Sequence, residues 1–470
     1  MARRLCRRRR FSVNRLVAVS NRLLPGAGRS AAGGLAVALG SAMEERGGLW
    51  FGWSGQVSAT PLQPPLHSNR GKLTLTCVDL GSAEYADFYL GFCNTVLWPL
   101  FHGFVARSRQ DTVQFAAYLS VNRRYARALL PLLDPGDLIW VHDFQLIPMG
   151  QMLRDAGSKQ PLGFFLHVPF PSIVCLAALP EAGALLDTLL AYDVLGLQTQ
   201  DDLAALRAAA RWRWGAHSVT DDGVICVGQR RTFAAVFPVG VDVDGIQAEV
   251  VSSASSALIE RLAALRHGRR LMVGVDRLDP CKGLRERLDA YEEFLGSTTQ
   301  THARTNYLQI ATPSRGDLPQ HALLRATLRV RAQQLNSMHR GDGWRPLRYL
   351  PRSLPHHTLM KLLSAANVGI VTPLRDGMNL VAKEFIAAQN PLDPGVLILS
   401  RFAGAANELT TALLVDPCDA PATARAMATA FAMSLPERRE RHAVMLDALR
   451  RNDLRAWHSR FIHQLQSCRR

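Results

Sequence analysis

The sequence has 470 residues, of which 48% are hydrophobic and 20% charged, a balance typical of globular proteins with two or three domains. It contains no run of about 18 apolar residues, and no apolar stretch with a cleavage site follows the basic start MARRLCRRRR, which argues against a membrane protein and against a secreted one. Eight cysteines without a CxxC pair indicate reduced thiols rather than disulfides or a zinc site. We therefore expect a cytoplasmic protein with no membrane partner.

The formal net charge of +16 would ordinarily indicate a nucleic acid or another polyanion as a partner. Only five of the 55 basic residues are lysines, however, and the arginines are spread along the chain apart from a cluster between Arg3 and Arg10. Such a bias is more typical of codon composition than of a binding surface. We therefore predict no nucleic-acid partner and interpret residues 1–14 as a basic, disordered arm.

Short apolar runs alternate with longer amphipathic segments along the chain. The runs that predict strands are 16–19, 138–141, 162–168, 194–197, 271–275, 307–310, 368–372 and 396–399. The segments that predict helices are 178–192, 200–211, 284–296 and 379–389, the last capped by Asn379. Continuous apolar runs separated by helix-length segments indicate parallel strands covered by helices on both faces, so the predicted class is α/β.

The strand series is interrupted once, at FPVGVDVDGI (237–246). We interpret this segment as the boundary between two doubly wound parallel-sheet domains that face each other across a cleft, where a substrate would bind. The expected domains are 15–245 and 246–449, with a C-terminal helix at about 450–466 that packs back on the first.

Motifs of common cofactor and metal sites are absent from the sequence. There is no GxGxxG, P-loop, GxSxG or CxxC motif, and His102, His142 and His167 do not share a metal-ligand spacing. Asp242-Val243-Asp244 has the spacing of a metal-binding DxD motif, but its place at the domain boundary favours a linker. We therefore predict neither a resident cofactor nor a metal ion.

Polar residues end most of the predicted strands, where ligands of open α/β sheets bind. They are Ser20, Asn21, Arg22, His142, Asp143, His167, Gln198, Thr199, Asp276, Arg277, Ser314, Arg315, Gly316, Asp317, Arg375, Asp376 and Gly377. The recurring arginines, with Lys282, indicate an anionic ligand because a guanidinium matches phosphate oxygens, although any one arginine could equally be a surface charge. Gly33 and Gly34 could admit a phosphate to a helix start or form only a tight turn.

The stretch TPLRDGMNLVAKEF (372–385) places Asp376 at the end of a predicted strand and Glu384 within the following helix. Two acids at this spacing could form the acid/base pair of a hydrolase or a clamp that binds a ligand. Glu384 lies one turn or more into a helix that Asn379 caps, while Asp376 precedes it, and this placement favours a clamp.

Twelve short motifs carry a resemblance that runs from residue 15 to about 465. They are RLVAVSNRL, GGLAVAL, GGLWFGWSG, LWPLFH, YLSVNRRYA, IWVHDFQLIP, FFLHVPFP, YDVLGLQT, RLDPCKG, SRGD, TPLRDGMNLVAKEF and FAGAANEL. Through their order and spacing the chain resembles the trehalose-6-phosphate synthases, retaining glycosyltransferases of GT-B fold with two Rossmann-like domains. The resemblance implies transfer of glucose from UDP-glucose to glucose 6-phosphate, giving α,α-trehalose 6-phosphate and UDP. It also implies no cofactor, with UDP-glucose as a co-substrate, and a homo-oligomer, expected to be a tetramer.

The resemblance also assigns roles to matching residues. The acceptor would be held by Arg22, Trp53, Tyr89, Trp98 and Arg315. The donor would be held by Gly34, Arg277 and Lys282 at the diphosphate, Asp376 at the glucose, Glu384 at the ribose, and Gly377, Met378, Asn379, Leu380 and Val381 between them. Asp143 and His167 would contact sugar hydroxyls near the reaction centre. The implied catalytic set is Asp143, His167, Arg277, Lys282 and Asp376, and neither Asp376 nor Glu384 would transfer a proton.

Several positions depart from the family pattern. Pro280-Cys281 stand where the family has Tyr-Ser, and Gly103 stands where an aromatic residue is frequent. These departures leave every implied contact residue in place. Two alternatives remain open: a related GT-B transferase with another donor or acceptor, and a catalytically silent sugar-phosphate sensor. The presence of Arg277, Lys282 and Asp376 favours an enzyme over the silent sensor.

Overall fold

The structure is a computed structural model. It describes residues 15–23, 34–60, 65–104, 112–252, 269–297, 305–314, 318–339 and 344–468. The basic arm predicted over 1–14, Gly33 and Arg315 lie outside the described residues. In the helices of these ranges, none is long and apolar enough to cross a membrane.

Two sheets form the framework of the fold. The first contains β1 (Leu16–Arg22), β2 (Gly48–Ser58), β3 (Leu66–Arg70), β4 (Leu73–Gly81), β5 (Leu138–His142), β6 (Leu162–Phe165), β7 (Val194–Leu197), β8 (Val224–Val227) and β9 (Arg230–Val236) in the order β3-β4-β2-β1-β5-β6-β7-β9-β8. The second contains β10 (Arg270–Arg277), β11 (Thr305–Thr312), β12 (Leu347–Leu350), β13 (Val368–Val371), β14 (Val396–Ser400) and β15 (Leu413–Val415) in the order β12-β11-β10-β13-β14-β15. Only the edge pairs β3–β4 and β8–β9 of the described strands are antiparallel. The two largely parallel sheets confirm the predicted α/β class.

Helices connect the strands and cover the sheets. They are α1 (Gly34–Arg46), α2 (Ser82–Glu84), a π-helical segment (Tyr85–Leu97), α3 (Trp98–Phe101), α4 (Thr112–Leu129), α5 (Met149–Asp155), α6 (Ile173–Ala177), α7 (Ala182–Leu189), α8 (Gln200–Trp214), α9 (Val243–Val251), α10 (Leu284–Gly296), α11 (Pro319–Met338), α12 (His356–Ala365), α13 (Leu380–Ala388), α14 (Ala420–Ala432), α15 (Leu435–Arg451) and α16 (Leu454–Ser467). Short 3₁₀ turns occur at Leu130–Leu132, Phe144–Leu146, Ala216–Ser218, Pro280–Lys282 and Gly404–Asn407.

The predicted elements agree with these bounds in most cases. Every apolar run predicted as a strand overlaps one, and the helix predicted over 284–296 has the observed bounds of α10. The helix predicted over 178–192 was too long, because Pro180 disfavours a helical conformation for the residue before it and α7 begins only at Ala182. Strands β2 to β4, β8, β9, β12 and β15 were missed; β2 carries glycines, which weaken a strand pattern.

The chain crosses between the two sheets at two adjacent places. The first crossing contains Gly240, where an ideal Cβ would lie 2.3 Å from the carbonyl oxygen of Asn452 in the second crossing. The amide of Leu454 donates to the carbonyl oxygen of Val241 at 3.3 Å. These contacts place both connections side by side.

After the second crossing, α16 packs on the first sheet. The ring of Phe461 stacks on that of Trp140 with centroids 4.6 Å apart. Ideal Cβ atoms on Gly163 and Gly196 would lie 2.7 and 2.8 Å from the Phe461 ring, so the two glycines leave the space that this ring fills. The C-terminal residues therefore belong to the core of the first sheet, with Trp457 and Phe461 fully buried.

The DxD sequence starts a helix. The Oδ1 of Asp242 accepts a hydrogen bond from the amide of Gly245 at 3.0 Å and caps the amino end of α9. Asp242 therefore has a structural role as the cap of α9.

Asp242→Ala is expected to lower the free energy of unfolding by about 1 kcal/mol, because the first turn of α9 loses its cap. The free energy of unfolding of Asp242→Asn should stay close to that of the unmutated protein, since an amide oxygen accepts the same hydrogen bond. Urea unfolding of the three proteins measures the difference. Equal losses in both variants, together with stabilisation of only the unmutated protein by a divalent metal, would instead identify a metal ligand.

Candidate active site

The carboxyl ends of the two sheets meet at a cleft. Gly377 follows β13, and an ideal Cβ on it would lie 2.2 Å from the carbonyl oxygen of His167, which follows β6. Nearby, the Nη2 of Arg375 donates to the carbonyl oxygen of Phe170 at 3.0 Å. Residues that end strands in different sheets are therefore brought into direct contact.

Asp143 follows β5 in a strained conformation. Its φ of 74° and ψ of 165° lie in a region that is otherwise used mainly by glycine. Its own amide donates a hydrogen bond to the carbonyl oxygen of Phe165 at 2.8 Å, and its Oδ1 accepts one from the amide of His167 at 3.1 Å. Burial raises the pKa of Asp143 to about 6, opposed by backbone hydrogen bonds and by the charge of Arg277. The surrounding structure thus holds this carboxylate in one position beside the cleft.

The buried His142 and the half-buried His167 lie next to Asp143. The Nδ1 of His142 is 3.1 Å from the Nε2 of His167. Burial lowers the pKa of His167 to about 3 and that of His142 well below its ordinary value. Both rings are therefore neutral near pH 7, and His167 can offer hydrogen bonds to a ligand without carrying a charge.

A buried ion pair lies on the opposite side of the cleft. The Nζ of Lys282 donates to the Oδ2 of Asp376, which also accepts from the Nδ2 of Asn379 at 3.0 Å. Burial disfavours the charge on Lys282, but Asp376 outweighs it and raises the pKa of the ammonium. Burial likewise opposes ionisation of Asp376, and Lys282 outweighs it and lowers the carboxyl pKa. Both groups are therefore charged near pH 7 and fix each other's position.

Arg277 ends β10 and faces the cleft. Its Cζ lies 5.4 Å from the centroid of the Trp98 ring, and the Nε1 of Trp98 donates to the Oδ1 of Asp279 at 3.3 Å. The preceding residue, Asp276, points to the other face of the sheet and forms a buried ion pair with Arg287. Among the ion pairs of the described residues none includes Arg277, so its charge is available to an anionic ligand.

A second cationic group lies beside an aromatic cluster on the first sheet. The Cζ of Arg22 is 5.4 Å from the Trp53 ring centroid, and the Trp53 and Tyr89 rings are 5.2 Å apart. Tyr85 stacks on Tyr89 at 5.4 Å. An ideal Cβ on Gly55 would lie 2.8 Å from the Nε of Arg22, so glycine here lets the guanidinium lie across the strand. An arginine beside aromatic faces suits a phosphorylated sugar.

The start of α13 is shaped by Asn379. Like Asp143, and alone with it among the described non-glycine residues, Asn379 has a positive φ, of 77°. Its side-chain oxygen accepts a hydrogen bond from the amide of Ala382 at 3.2 Å, which confirms the predicted cap. Met378 is buried and its carbonyl oxygen accepts from Ala405 at 2.8 Å. Leu380 and Val381 form the first turn of the helix and are half-buried.

Glu384 lies one turn farther along α13, with its side chain 14% exposed. Its Oε1 is 3.8 Å from the Nε2 of His356, and the Nδ1 of the same ring is 2.8 Å from the Oε2 of Glu249. Glu384 is therefore paired with a histidine, whereas Asp376 is paired with a lysine. The two acids of TPLRDGMNLVAKEF have separate surroundings and do not share one reacting bond.

The comparisons with known proteins cover nearly the whole chain. The model of the glycosyltransferase family 20 matches residues 23–467. The trehalose-6-phosphate synthase of Salmonella arizonae is 42% identical over 460 residues, which cover 97% of this chain and 95% of that protein.

This chain belongs to glycosyltransferase family 20.

Solved structures agree with family 20 membership. An α,α-trehalose-phosphate synthase (UDP-forming) from Burkholderia xenovorans, in complex with glucose 6-phosphate, is 41% identical with a TM-score of 0.93, covering 96% of this chain and all of that one. The enzyme from E. coli, bound with UDP-2-fluoro glucose, is 40% identical with a TM-score of 0.92, covering 97% of this chain and all of that one. These similarities confirm the predicted GT-B fold of the family.

Most of the residues that the sequence predicts for a family 20 site lie in the clusters described above. Two implied residues are not in the clusters above: Gly34 forms the first residue of α1, and Arg315 is outside the described ranges. Sequence reasoning assigned no role to Tyr85, Asp279 or His356. Asp279 lies within the motif RLDPCKG and could have been found there, but no local pattern distinguishes Tyr85 or His356.

Metal binding was tested by the arrangement of ligand-type side chains. Over the residues that the structure describes, no group of three or more His, Cys, Asp or Glu side chains is placed to hold a metal ion.

Proposed function

We propose that this family 20 protein is a UDP-forming α,α-trehalose-phosphate synthase that transfers glucose from UDP-glucose to glucose 6-phosphate with retention of configuration. The observation that carries the proposal is the cleft itself, in which Arg277 and the Lys282–Asp376 pair face Asp143 and His167. Relatives that are 42% identical over 97% of this chain are trehalose-6-phosphate synthases. The complexes of two such relatives with glucose 6-phosphate and with UDP-2-fluoro glucose support the same two substrates here.

The donor would be held by the second sheet. Arg277 and Lys282 neutralise the diphosphate, and since Asp376 occupies only one of the three ammonium donors of Lys282, two remain for phosphate oxygens. Asp376, fixed by Lys282 and Asn379, accepts hydrogen bonds from the donor glucose. The path from Asp376 to Glu384 at the ribose is lined by Gly377, Met378, Leu380 and Val381. On the other side, Gly34 lets the amino end of α1 approach the diphosphate.

The acceptor would be held by the first sheet. Arg22 binds its phosphate together with Arg315, while Trp53, Tyr89 and Trp98 contact the sugar. Asp143 and His167 lie between the two substrates and hydrogen-bond to sugar hydroxyls.

Departure of UDP develops negative charge on the diphosphate oxygen. Positive groups already in place stabilise that charge without rearranging during the reaction. The leaving oxygen removes the proton of the acceptor hydroxyl as the new glycosidic bond forms on the same face, so no side chain is required as a general base. Contact between the sheets at Gly377 and His167 excludes water and limits hydrolysis of the donor.

The domain division and the setting of the enzyme remain part of this proposal. Residues 15–245 would form the acceptor domain and 246–449 the nucleotide-sugar domain, with the C-terminal helix on the former. We expect a homo-oligomer, a tetramer by family resemblance, located in the cytoplasm. We also expect no metal or other cofactor, so chelation should leave the rate unchanged.

The direct test is release of UDP from purified protein given UDP-glucose and glucose 6-phosphate, with the product's α,α-1,1 linkage checked by NMR. Unphosphorylated glucose replaces the acceptor in the matched control, and ADP-, GDP- and TDP-glucose compete as donors. We expect UDP only in the complete reaction. Absence of nucleotide release with every donor would contradict the synthase and favour a silent sensor.

The pH dependence of the reaction tests Asp143. Its raised pKa means that the carboxylate, the form that accepts hydrogen bonds from hydroxyls, is lost as the pH falls through about 6. Below that value kcat/KM should fall by about tenfold per pH unit, as for a single titrating group. Asp143→Asn should lower the activity and remove this acidic limb, whereas Asn in place of the exposed Asp221 should change neither. An unchanged limb in Asp143→Asn would assign the titration to another group.

A further inference from the structure

One histidine lies between two carboxylates that come from different helices. His356 is the first residue of α12; its Nδ1 is 2.8 Å from Glu249 on α9, and its Nε2 is 3.8 Å from Glu384 on α13. The first contact is a hydrogen bond and the second an ion-pair contact. Each nitrogen of the ring therefore faces its own carboxylate oxygen.

This geometry favours a ring with hydrogen on both nitrogens. A neutral imidazole has one N–H donor and one lone pair, so it would turn a lone pair toward one of the two carboxylates. The imidazolium donates a hydrogen bond to Glu249 and directs its second N–H toward Glu384 at 3.8 Å. Glu384 first, and then Glu249, raises the pKa of His356 to about 9 although burial opposes the charge.

The other cations of the neighbouring helices are already engaged. On α12, Lys361 donates to the carbonyl oxygen of Ser252, and on α13, Lys383 pairs with Glu408 at 2.6 Å. The amino end of α12 itself disfavours a cation, because the helix dipole is positive there. The charge of His356 thus depends on the two carboxylates that it connects.

We propose that His356, as the imidazolium, is a positioning residue that holds one carboxylate oxygen of Glu384 and leaves the other to accept hydrogen bonds from the ribose hydroxyls of the donor. This inference rests on the proposed function, which gives the ribose to Glu384. Glu249 fixes the far side of the ring. Because the histidine pKa is raised, the charge is present below about pH 9 and is lost as the pH rises through it, and nucleotide affinity should fall over that range.

Calorimetric binding of UDP and of 2′,3′-dideoxy-UDP tests the proposal without requiring turnover. His356→Ala should raise the Kd for UDP about twofold to fivefold, the range for losing a partly exposed charged contact, and leave the Kd for dideoxy-UDP unchanged. His356→Arg keeps the positive charge at all accessible pH values. Near neutral pH it should therefore bind UDP better than His356→Ala does. Above the pKa of His356 it should lose less UDP affinity than the unmutated protein does. His357→Ala, at the exposed neighbouring position, is the matched control and should bind both ligands normally.

Three outcomes would overturn the role of His356. The first is unchanged UDP affinity in His356→Ala. The second is equal weakening of UDP and dideoxy-UDP binding, because that result indicates packing alone. The third is the absence of UDP binding by the unmutated protein. The proposed function fails separately, when the unmutated protein binds UDP yet releases none from UDP-glucose and glucose 6-phosphate.

Discussion

Replacing Arg277 by alanine is expected to lower kcat by about 10²- to 10³-fold, the usual cost of removing one preorganised group at a developing oxyanion. Arg277 lies over the Trp98 ring at 5.4 Å, so its guanidinium is held in place before a ligand binds. The charge that it would stabilise forms only as UDP leaves, and the loss should therefore appear in kcat more than in the KM for UDP-glucose.

Two matched variants separate charge from geometry at this position. Arg277→Lys keeps the charge but loses the planar fork, so its kcat should lie between those of the alanine variant and the unmutated enzyme. Arg348→Ala removes an exposed arginine from β12 of the same sheet and should leave the rate unchanged. A kcat of Arg277→Ala within about threefold of normal would place the diphosphate elsewhere, since that is far below the effect of an oxyanion group.

Gly377→Ala is expected to lower kcat/KM by about a hundredfold, the effect of misplacing reacting groups by about 1 Å. An ideal Cβ at Gly377 would lie 2.2 Å from the carbonyl oxygen of His167, which is far inside van der Waals contact. The backbone on both sides is constrained, because an ideal Cβ at Gly404 would lie only 1.9 Å from the carbonyl oxygen of Gly377. The added methyl group must therefore push the two sheets apart at the reaction centre.

The control for Gly377→Ala is Gly296→Ala. Gly296 ends α10, and a Cβ there would meet no atom within 4 Å, so the same chemical change should be harmless. Steady-state kinetics and thermal unfolding of both variants measure the effect, and only Gly377→Ala should lose activity. Normal kinetics in Gly377→Ala would show that the sheets do not touch at this point during catalysis.

The sequence by itself determined the class of fold and many residues of the candidate site. Buried parallel strands read as continuous apolar runs, and the residue after each run lies at the binding edge of a sheet, which is why Asp143, Arg277 and Asp376 could be named from position alone. The cap of α13 was equally local, because Asn379 needs only the next three residues. Strands β2 to β4 were missed where glycines and polar residues obscure the pattern, although Trp53 of β2 was named through the family resemblance.

The tertiary structure decided which of these residues meet. Lys282 and Asp376 are 94 residues apart, and Trp98 and Asp279 are 181 apart, so no local periodicity relates them. Their contacts depend on sheet register and on the packing of one sheet's carboxyl edge against the other. The same holds for His356, which became interpretable only when three helices placed Glu249 and Glu384 at its two ring nitrogens. Sequence periodicity records which face of an element is buried, whereas partners across the cleft are set by how separate elements pack.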